Sequence, residues 1–229
     1  MIVTKNNTSQ KIVLIKINAF LFLLLLSLTA FSCYRSVNHQ REKAIEMRNN
    51  ALEFYVNLSL TTSALTDTER TQRIISLLDE SIALDSTYSW SYALKAQILK
   101  DEKRYMEAID LVDKALQYRF EDDDYTISGR YLMKGVLYEK MDSLELSKSN
   151  YLSAIHIIDS RIQKDSLDFI ALLNRASLEV FIEDENSALE KLEKLRNKKR
   201  SEEEYRQIDF LIDGIKKGRS EIVETISIY

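Results

Sequence analysis

The chain has 229 residues, of which 45% are apolar and 30% charged, with a net charge of −4, no proline and four glycines. At average usage a chain of this length would contain about 11 prolines and 16 glycines, so folds that need frequent turns or clustered glycines, such as β-sandwiches and phosphate-binding loops, are disfavoured. The apolar and charged fractions also disfavour disorder, and a mostly helical protein remains.

The first predicted element is an export signal. Three lysines, Lys5, Lys11 and Lys16, precede an apolar run over residues 19–31 that contains no charge. A basic region followed by an apolar region and a small residue is typical of a secretory signal. The run has 13 residues, whereas a membrane-spanning helix needs about 20. We therefore predict a cleaved signal peptide over residues 1–32 rather than a permanent anchor.

Cys33 follows the apolar run directly and is the only cysteine, so no disulfide can form within the chain. With Ala30, Phe31 and Ser32 it resembles a bacterial lipoprotein box, although that pattern usually has an aliphatic and a small residue at the first two positions. The resemblance implies a diacylated Cys33 that holds the chain on the periplasmic side of a bacterial membrane, with the outer membrane favoured. Residues 33–41 would be a tether. The alternative is a chance cysteine after a signal or anchor.

Removal of the signal makes the chain more acidic. The sequence has 32 basic and 36 acidic residues, and without the three lysines of the signal 29 basic residues remain, for a net charge of −7. An acidic domain repels phosphate backbones, and the sequence contains no basic stripe with interleaved aromatic residues. We therefore expect no nucleic-acid partner.

Small residues recur at fixed spacing through the body of the chain. Two segments repeat spacings of 12 and 7 residues, and a third repeats them with leucine in last place. The three sets are Ala96, Ala108 and Ala115; Gly135, Ser147 and Ala154; and Ala176, Ala188 and Leu195. This spacing suits two antiparallel helices, because small residues let the helices approach closely while large residues fill the gaps.

With aromatic and aliphatic residues between the small ones, this pattern resembles the tetratricopeptide repeat, a helix-turn-helix unit of 34 residues. The resemblance covers most of residues 72–195 and implies an all-α fold, a short right-handed superhelix of about four helix pairs. The units fall at approximately 42–88, 89–122, 128–161 and 169–200. The later units are spaced more widely than the repeat requires, and we assign the excess to extra loop at residues 122–127 and 162–168.

Two pairs have the spacing of a capping box, in which each side chain accepts from the backbone of the other residue: Thr66 with Glu69, and Ser201 with Glu204. The second box opens a predicted terminal helix over residues 201–217. This helix would cover the apolar face of the last unit, as an open stack of repeats requires. Residues 201–229 are therefore a capping helix and tail, and the apolar residues 220–229 either pack back on the stack or await a partner.

The sequence offers little to catalysis or metal binding. His39 lies in the tether and His156 inside a helix, and neither has a nucleophile or a second ligand nearby in sequence. The acidic run 121–124 differs from a calcium loop, because Ile127 and Met133 stand where that loop needs glycine and glutamate. We expect a solvated turn there, and no enzyme activity, cofactor or metal.

Three Asp-Ser pairs begin at Asp85, Asp142 and Asp165, each where a turn is predicted. Both residue types favour caps and turns, which is sufficient reason for their presence. Attachment of an O-glycan at Asp-Ser, as found in some exported bacterial proteins, stays an open alternative.

In the tetratricopeptide family, ligands lie along the concave face formed by the first helix of each unit. The resemblance therefore implies a binding face that contains Trp90, Gln97, Lys100, Leu132, Val136, Glu139, Leu173, Ser177 and Phe181. The face changes from polar to apolar along the stack, and an extended or helical peptide with apolar anchors would suit it. Alternatively, the terminal helix or an inter-unit loop covers Leu173 and Phe181.

These expectations favour a membrane-tethered adaptor that binds a protein or peptide and catalyses nothing. An inhibitor or immunity protein against an exported toxin is the main alternative, since an acidic domain would suit a basic target. A cell-envelope enzyme is less favoured. The adaptor hypothesis predicts that a charged residue in place of Trp90, Val136 or Phe181 stops capture of a partner without unfolding the protein.

Overall fold

The structure, a computed structural model, describes residues 38–56 and 66–218, and every regular element in these two ranges is helical. The α-helices are α1 (38–56), α2 (Asp67–Leu84), α3 (Ser89–Asp101), α4 (Tyr105–Gln117), α5 (Asp124–Glu139), α6 (Leu144–Lys164), α7 (Phe169–Ile182), α8 (Glu185–Arg196) and α9 (Glu202–Lys216). Of these described helices, none is both long and apolar enough to cross a membrane. The predicted signal peptide, Cys33 and residues 219–229 lie outside the described residues.

Consecutive helices pack as antiparallel pairs. α3 lies against α4, α5 against α6 and α7 against α8, and each pair contacts the next through α4 with α5 and α6 with α7. The turns within these pairs are only two to four residues long, so the chain reverses direction between partners. α1 and α2 share a buried cluster with α3 that includes Ala51, Leu78 and Leu94. The predicted all-α stack of helix pairs is therefore confirmed.

The small residues lie at the close contacts between helices. Ala96, Ala108 and Ala115 have no exposed surface. Gly135 lies at a very close contact, because a Cβ placed on it would overlap the ring of Tyr151 on the paired helix α6. The spacing of 12 and 7 residues therefore identified the contact points correctly.

Both capping boxes are present. The Glu69 backbone N–H donates to Thr66 Oγ1 at 3.3 Å, and the Thr66 N–H donates to Glu69 Oε2 at 2.8 Å. Ser201 and Glu204 make the same exchange at the start of α9. Hydrogen bonds from the cap backbone lower the pKa of Glu204, as they do for Glu69, which is expected for a carboxylate at a helix N-terminus.

The terminal helix covers the last pair, as predicted. α9 packs on α8 and α7, and Ile208, Ile212 and Ile215 lie in the same buried cluster as the apolar residues of α7 and α8. The chain leaves α9 at Gly218, whose φ of 103° is open to glycine but strained for other residues.

The extra residues between units were predicted as loops, and this is wrong for most of them. α5 begins at Asp124 and α6 continues to Lys164, so the excess residues lengthen two helices. Asp123 makes the early start possible, because its side chain accepts from the Thr126 N–H at 2.8 Å. The long end of α6 is retained because Ile162 packs on the core.

The Asp-Ser pairs lie in turns, as predicted. Asp85 accepts from the Thr87 N–H at 2.8 Å, and Asp165 accepts from the Leu167 N–H at 2.9 Å. Asp142 has a φ of 56° between α5 and α6, a left-handed conformation that Asp tolerates better than most residues.

Candidate functional site

Side-chain contacts join the first helices of the pairs, α1 to α3, α3 to α5 and α5 to the start of α7, and the surface where they meet is here called the inner face. The guanidinium of Arg48 on α1 lies 5.3 Å from the centre of the Trp90 ring on α3. The guanidinium of Arg130 on α5 lies 5.6 Å from the same ring. Trp90 is therefore half-buried between two cations, each within the range of a favourable cation–π contact.

Gln97 and Lys100 complete the polar end of the inner face, which we define as Arg48, Trp90, Gln97, Lys100 and Arg130. Both side chains are almost fully buried. Gln97 Nε2 donates to the Tyr55 hydroxyl and to Asp101 Oδ1, each at 3.3 Å, and Lys100 Nζ lies 3.6 Å from that same oxygen. The two predicted polar residues thus meet at Asp101, and their contacts are with other side chains of this chain.

A fully buried ion pair in this region was not predicted. Arg130 and Asp122 form an ion pair in which neither side chain has exposed surface. Arg130 also donates to the Ala115 carbonyl at 3.0 Å and to Ser89 Oγ at 3.2 Å. Burial lowers the pKa of Arg130 to about 10, so the guanidinium is charged at neutral pH. Asp122 is therefore a buried partner, and the prediction of a solvated turn is wrong for this residue.

The middle of the inner face is closed by packing. Val136, Leu173 and Phe181 belong to the buried cluster between α5, α6 and α7, and the Phe181 and Tyr151 ring centres are 4.9 Å apart. The Tyr151 hydroxyl donates to Glu139 at 2.6 Å. A charged residue at Val136 or Phe181 would be buried without a partner, so we now expect such a substitution to destabilise the fold as well as to stop capture.

A groove crosses the inner face between α5, α7 and α9. It has a volume of about 520 Å³, within the range of about 300–1,000 Å³ that is usual for ligand pockets. Its lining includes Tyr125, Gly129, Leu132, Asn174, Ser177, Phe181, Phe210, Gly214 and Lys217. Leu132, Ser177 and Phe181 were predicted as binding residues. The other six predicted residues do not line this groove, which we call the α9 groove.

Sequence reasoning missed the contribution of α9, which was predicted only as a cap. Phe210 lies on the groove and is 77% exposed. The available signal was an aromatic residue between Ile208 and Ile212 but off their buried face.

The wall of the groove on α5 is fixed by a polar network at its end. The Tyr125 hydroxyl donates to Asp168 at 2.7 Å and accepts from Arg161 Nε at 2.7 Å. Burial and the neighbouring Asp168 raise the pKa of Tyr125. Asp168 also accepts from the Ala171 N–H at 3.0 Å, so one carboxylate holds Tyr125 and caps α7.

A second depression, of about 830 Å³, lies beside α6 and includes His156 with Ser149 and Ser153. Ser153 donates to the Ser149 carbonyl at 3.0 Å rather than pairing with a base. Across the described ranges, no three His, Cys, Asp or Glu side chains are grouped so that they could hold a metal ion. The α9 groove is therefore the better candidate site.

Stacked helix pairs with a groove on the face of the first helices are typical of tetratricopeptide-like proteins, a class of generally non-enzymatic scaffolds. No protein-family model matches the chain. A tetratricopeptide repeat protein 36 homologue of Drosophila pseudoobscura pseudoobscura is 31% identical over 91 residues, covering 38% of this chain and 49% of that protein. The Drosophila melanogaster homologue is 26% identical over 140 residues, covering 59% of this chain and 75% of that protein.

The chain thus spans about half the length of the first of these relatives. Among solved structures, YrrB, described as a tetratricopeptide repeat protein with an unusual peptide-binding site, matches with a TM-score of 0.40 and 17% identity, covering 83% of this chain and 87% of YrrB. In sequence, this chain is therefore similar to proteins named for the tetratricopeptide repeat.

Proposed function

We propose that the chain is a non-catalytic adaptor that binds an apolar segment of a protein partner in the α9 groove. The observation that carries this proposal is Phe210, a large aromatic side chain that is 77% exposed beside an apolar groove. Because Phe210 lines the groove, its ring and the apolar walls form one continuous apolar surface, and such a surface marks an interaction site. The partner segment is expected to carry large aliphatic side chains, because the walls at Leu132, Leu178 and Phe181 are apolar.

Polar groups inside the groove would orient such a segment. Asn174 and Ser177 lie along the α7 wall, and a side-chain amide can both donate to and accept from a peptide backbone. Asp213 and Lys217 place opposite charges on the α9 side, so the groove has no strong preference for a charged ligand.

Capture of a partner from detergent-extracted native membranes tests this function. Phe210→Ser is expected to abolish capture, because it removes the exposed ring while leaving the buried face of α9 intact. Phe120→Ser is the matched control, since Phe120 is 86% exposed but lies outside the groove. Equal capture by the two variants would show that the groove is not the binding site.

We further propose that the adaptor is exported and held on a bacterial membrane through a lipidated Cys33. The support is the order of basic residues, apolar run and lone cysteine in the sequence. Mass measurement of the mature chain is expected to show cleavage before Cys33 and added acyl mass, both absent in Cys33→Ser. An uncleaved chain, or a cleaved one without acyl mass, would refute the lipoprotein assignment.

A further inference from the structure

We propose that residues 219–229 of this same chain lie in the α9 groove, as an internal ligand that a partner segment must displace. Only the displacement step rests on the proposed function. Contact between the segment and the groove is a property of the chain alone and is measured separately.

The path of the chain brings this segment to the groove. Lys217, in the last turn before the described chain ends, already lines the groove. Gly218 follows with a φ of 103°, and its N–H donates to the Ile215 carbonyl at 2.9 Å. A left-handed glycine directly after a helix is the usual device that turns the chain away from the helix axis. The described part of the chain therefore ends beside the groove.

The segment is long enough to fill the groove. Eleven residues reach at most about 36–40 Å when fully extended. The α5 wall from Tyr125 to Leu132 and the α7 wall from Asn174 to Phe181 each measure only about 10 Å at the rise of a helix. Residues 219–229 could therefore span the α9 groove even if they are not fully extended.

Two glycines keep space open inside the groove. Gly129 lies inside α5 and Gly214 inside α9, where glycine weakens a helix relative to alanine. A Cβ on either residue would meet no atom within 4 Å, so no contact among the described residues requires a glycine at these positions. Gly135, in contrast, is required by the Tyr151 ring. Space that is open on two facing walls of an apolar groove points to an occupant outside the described residues.

The composition of residues 219–229 suits an apolar groove. Five of its eleven residues are large and apolar: Ile222, Val223, Ile226, Ile228 and Tyr229. Their transfer from water to an apolar groove is favourable in proportion to the area removed from water. The exposed ring of Phe210 would be covered by the same contact, which gives this residue a role in the free protein as well.

Photo-crosslinking in the full-length chain tests the proposal in its native membrane. Ile226 is replaced by p-benzoyl-phenylalanine, the sample is irradiated, and cross-linked peptides are mapped by mass spectrometry. We expect cross-links within one chain to peptides that contain residues 125–132, 174–181 or 210–217. The same probe in place of Phe120 is the control, and it should give none of these cross-links.

Large side chains placed in the groove test whether the cross-links report binding in the groove or chance proximity. Gly129→Trp is expected to remove the cross-links, whereas Gly129→Ala should retain them because the groove stays open. Gly214→Leu repeats the test from the opposite wall, and helical circular dichroism shows that each variant is folded.

Cross-links that miss the groove peptides, or that survive both large substitutions, would overturn the proposal. Cross-links found only at the mass of two chains would also overturn it, in favour of a second copy as occupant. Cross-linking within the chain combined with unchanged partner capture by Phe210→Ser would uphold this inference while refuting the proposed function.

Discussion

The two ends of the inner face use the same helix positions in opposite ways. At the polar end, Trp90 is enclosed by two guanidinium groups, and Gln97 bonds to neighbouring side chains. At the other end, the α9 groove leaves Phe210 exposed, and no atom of the described residues would touch a Cβ on Gly129 or Gly214. One end is closed by polar contacts within the chain, and the other is open and apolar.

The comparison shows that the residue type at a predicted binding position does not decide whether a ligand can reach that position. The polar side chains Gln97 and Lys100 are buried because they find partners within the chain, Asp101 in the same helix and Tyr55 on α1. The open site arises where small residues meet a helix that lies outside the repeat pattern. Whether a ligand can reach a position therefore depends on which side chains of the surrounding helices contact it.

The largest expected effect concerns the polar end. Asp122→Ala removes the partner of the buried Arg130, and loss of one member of a buried ion pair costs about 3–5 kcal/mol. Urea unfolding followed by circular dichroism measures the loss. Asp123→Ala is the matched control, because it removes only an exposed helix cap worth about 1 kcal/mol. Equal losses for the two variants would mean that the ion pair does not hold this end closed.

The next effect concerns the packing between the two ends. Gly135→Ala places a Cβ against the Tyr151 ring, which cannot move freely because it also packs on Phe181 and bonds to Glu139. Overpacking of this kind costs about 1–3 kcal/mol of unfolding free energy. This loss exceeds the stabilisation expected from the higher helix propensity of alanine. A gain in unfolding free energy on this substitution would contradict the close contact between α5 and α6.

Gly129→Ala in the same helix has the opposite expected sign. Its Cβ would meet no atom of the described residues and is small enough to lie beside residues 219–229 in the groove, so the substitution should stabilise the protein by up to about 1 kcal/mol through helix propensity. The same urea titration measures it. Destabilisation would indicate that the occupant of the groove packs directly against Gly129 and leaves no room for a methyl group, and the contrast with the closed polar end would then be lost.

The fold could be predicted from the sequence because the small residues at helix contacts recur at a regular spacing. Small residues at close contacts, such as Ala96 and Gly135, and the capping boxes at Thr66 and Ser201 report local geometry directly. The residues between units could not be placed in this way, because a helix extension and a loop differ only by a cap such as Asp123 and by burial of a residue such as Ile162.

The candidate site was predicted only in part for a related reason. Leu132, Ser177 and Phe181 were found because they occupy repeat positions, whereas Phe210 belongs to a helix outside the repeat. Arg130 could have been recognised as buried, since the equivalent positions of the other units, Ser91 and Ala171, are buried too. Its partner Asp122 lies between units, where the repeat has no equivalent position.

The smallest expected effect depends on pH and concerns the anchor of the groove wall. The Ala171 N–H, the Tyr125 hydroxyl and Arg161 lower the pKa of Asp168. A carboxyl with a lowered pKa in the folded state contributes stability above its unfolded pKa, near 3.9, and this contribution is lost as pH falls through the folded value.

Asp168→Asn retains a capping side chain but removes the charge, so it should be less stable than the native protein at neutral pH. This difference should shrink as the pH falls below about 4. Urea unfolding at a series of pH values measures the trend. Asp165→Asn is the control, because Asp165 lies in the preceding turn, where its side chain accepts from the Leu167 N–H and does not contact Tyr125. If the Asp168→Asn difference does not change with pH, the carboxylate does not hold the Tyr125 wall, and the open end of the inner face must be fixed by apolar packing.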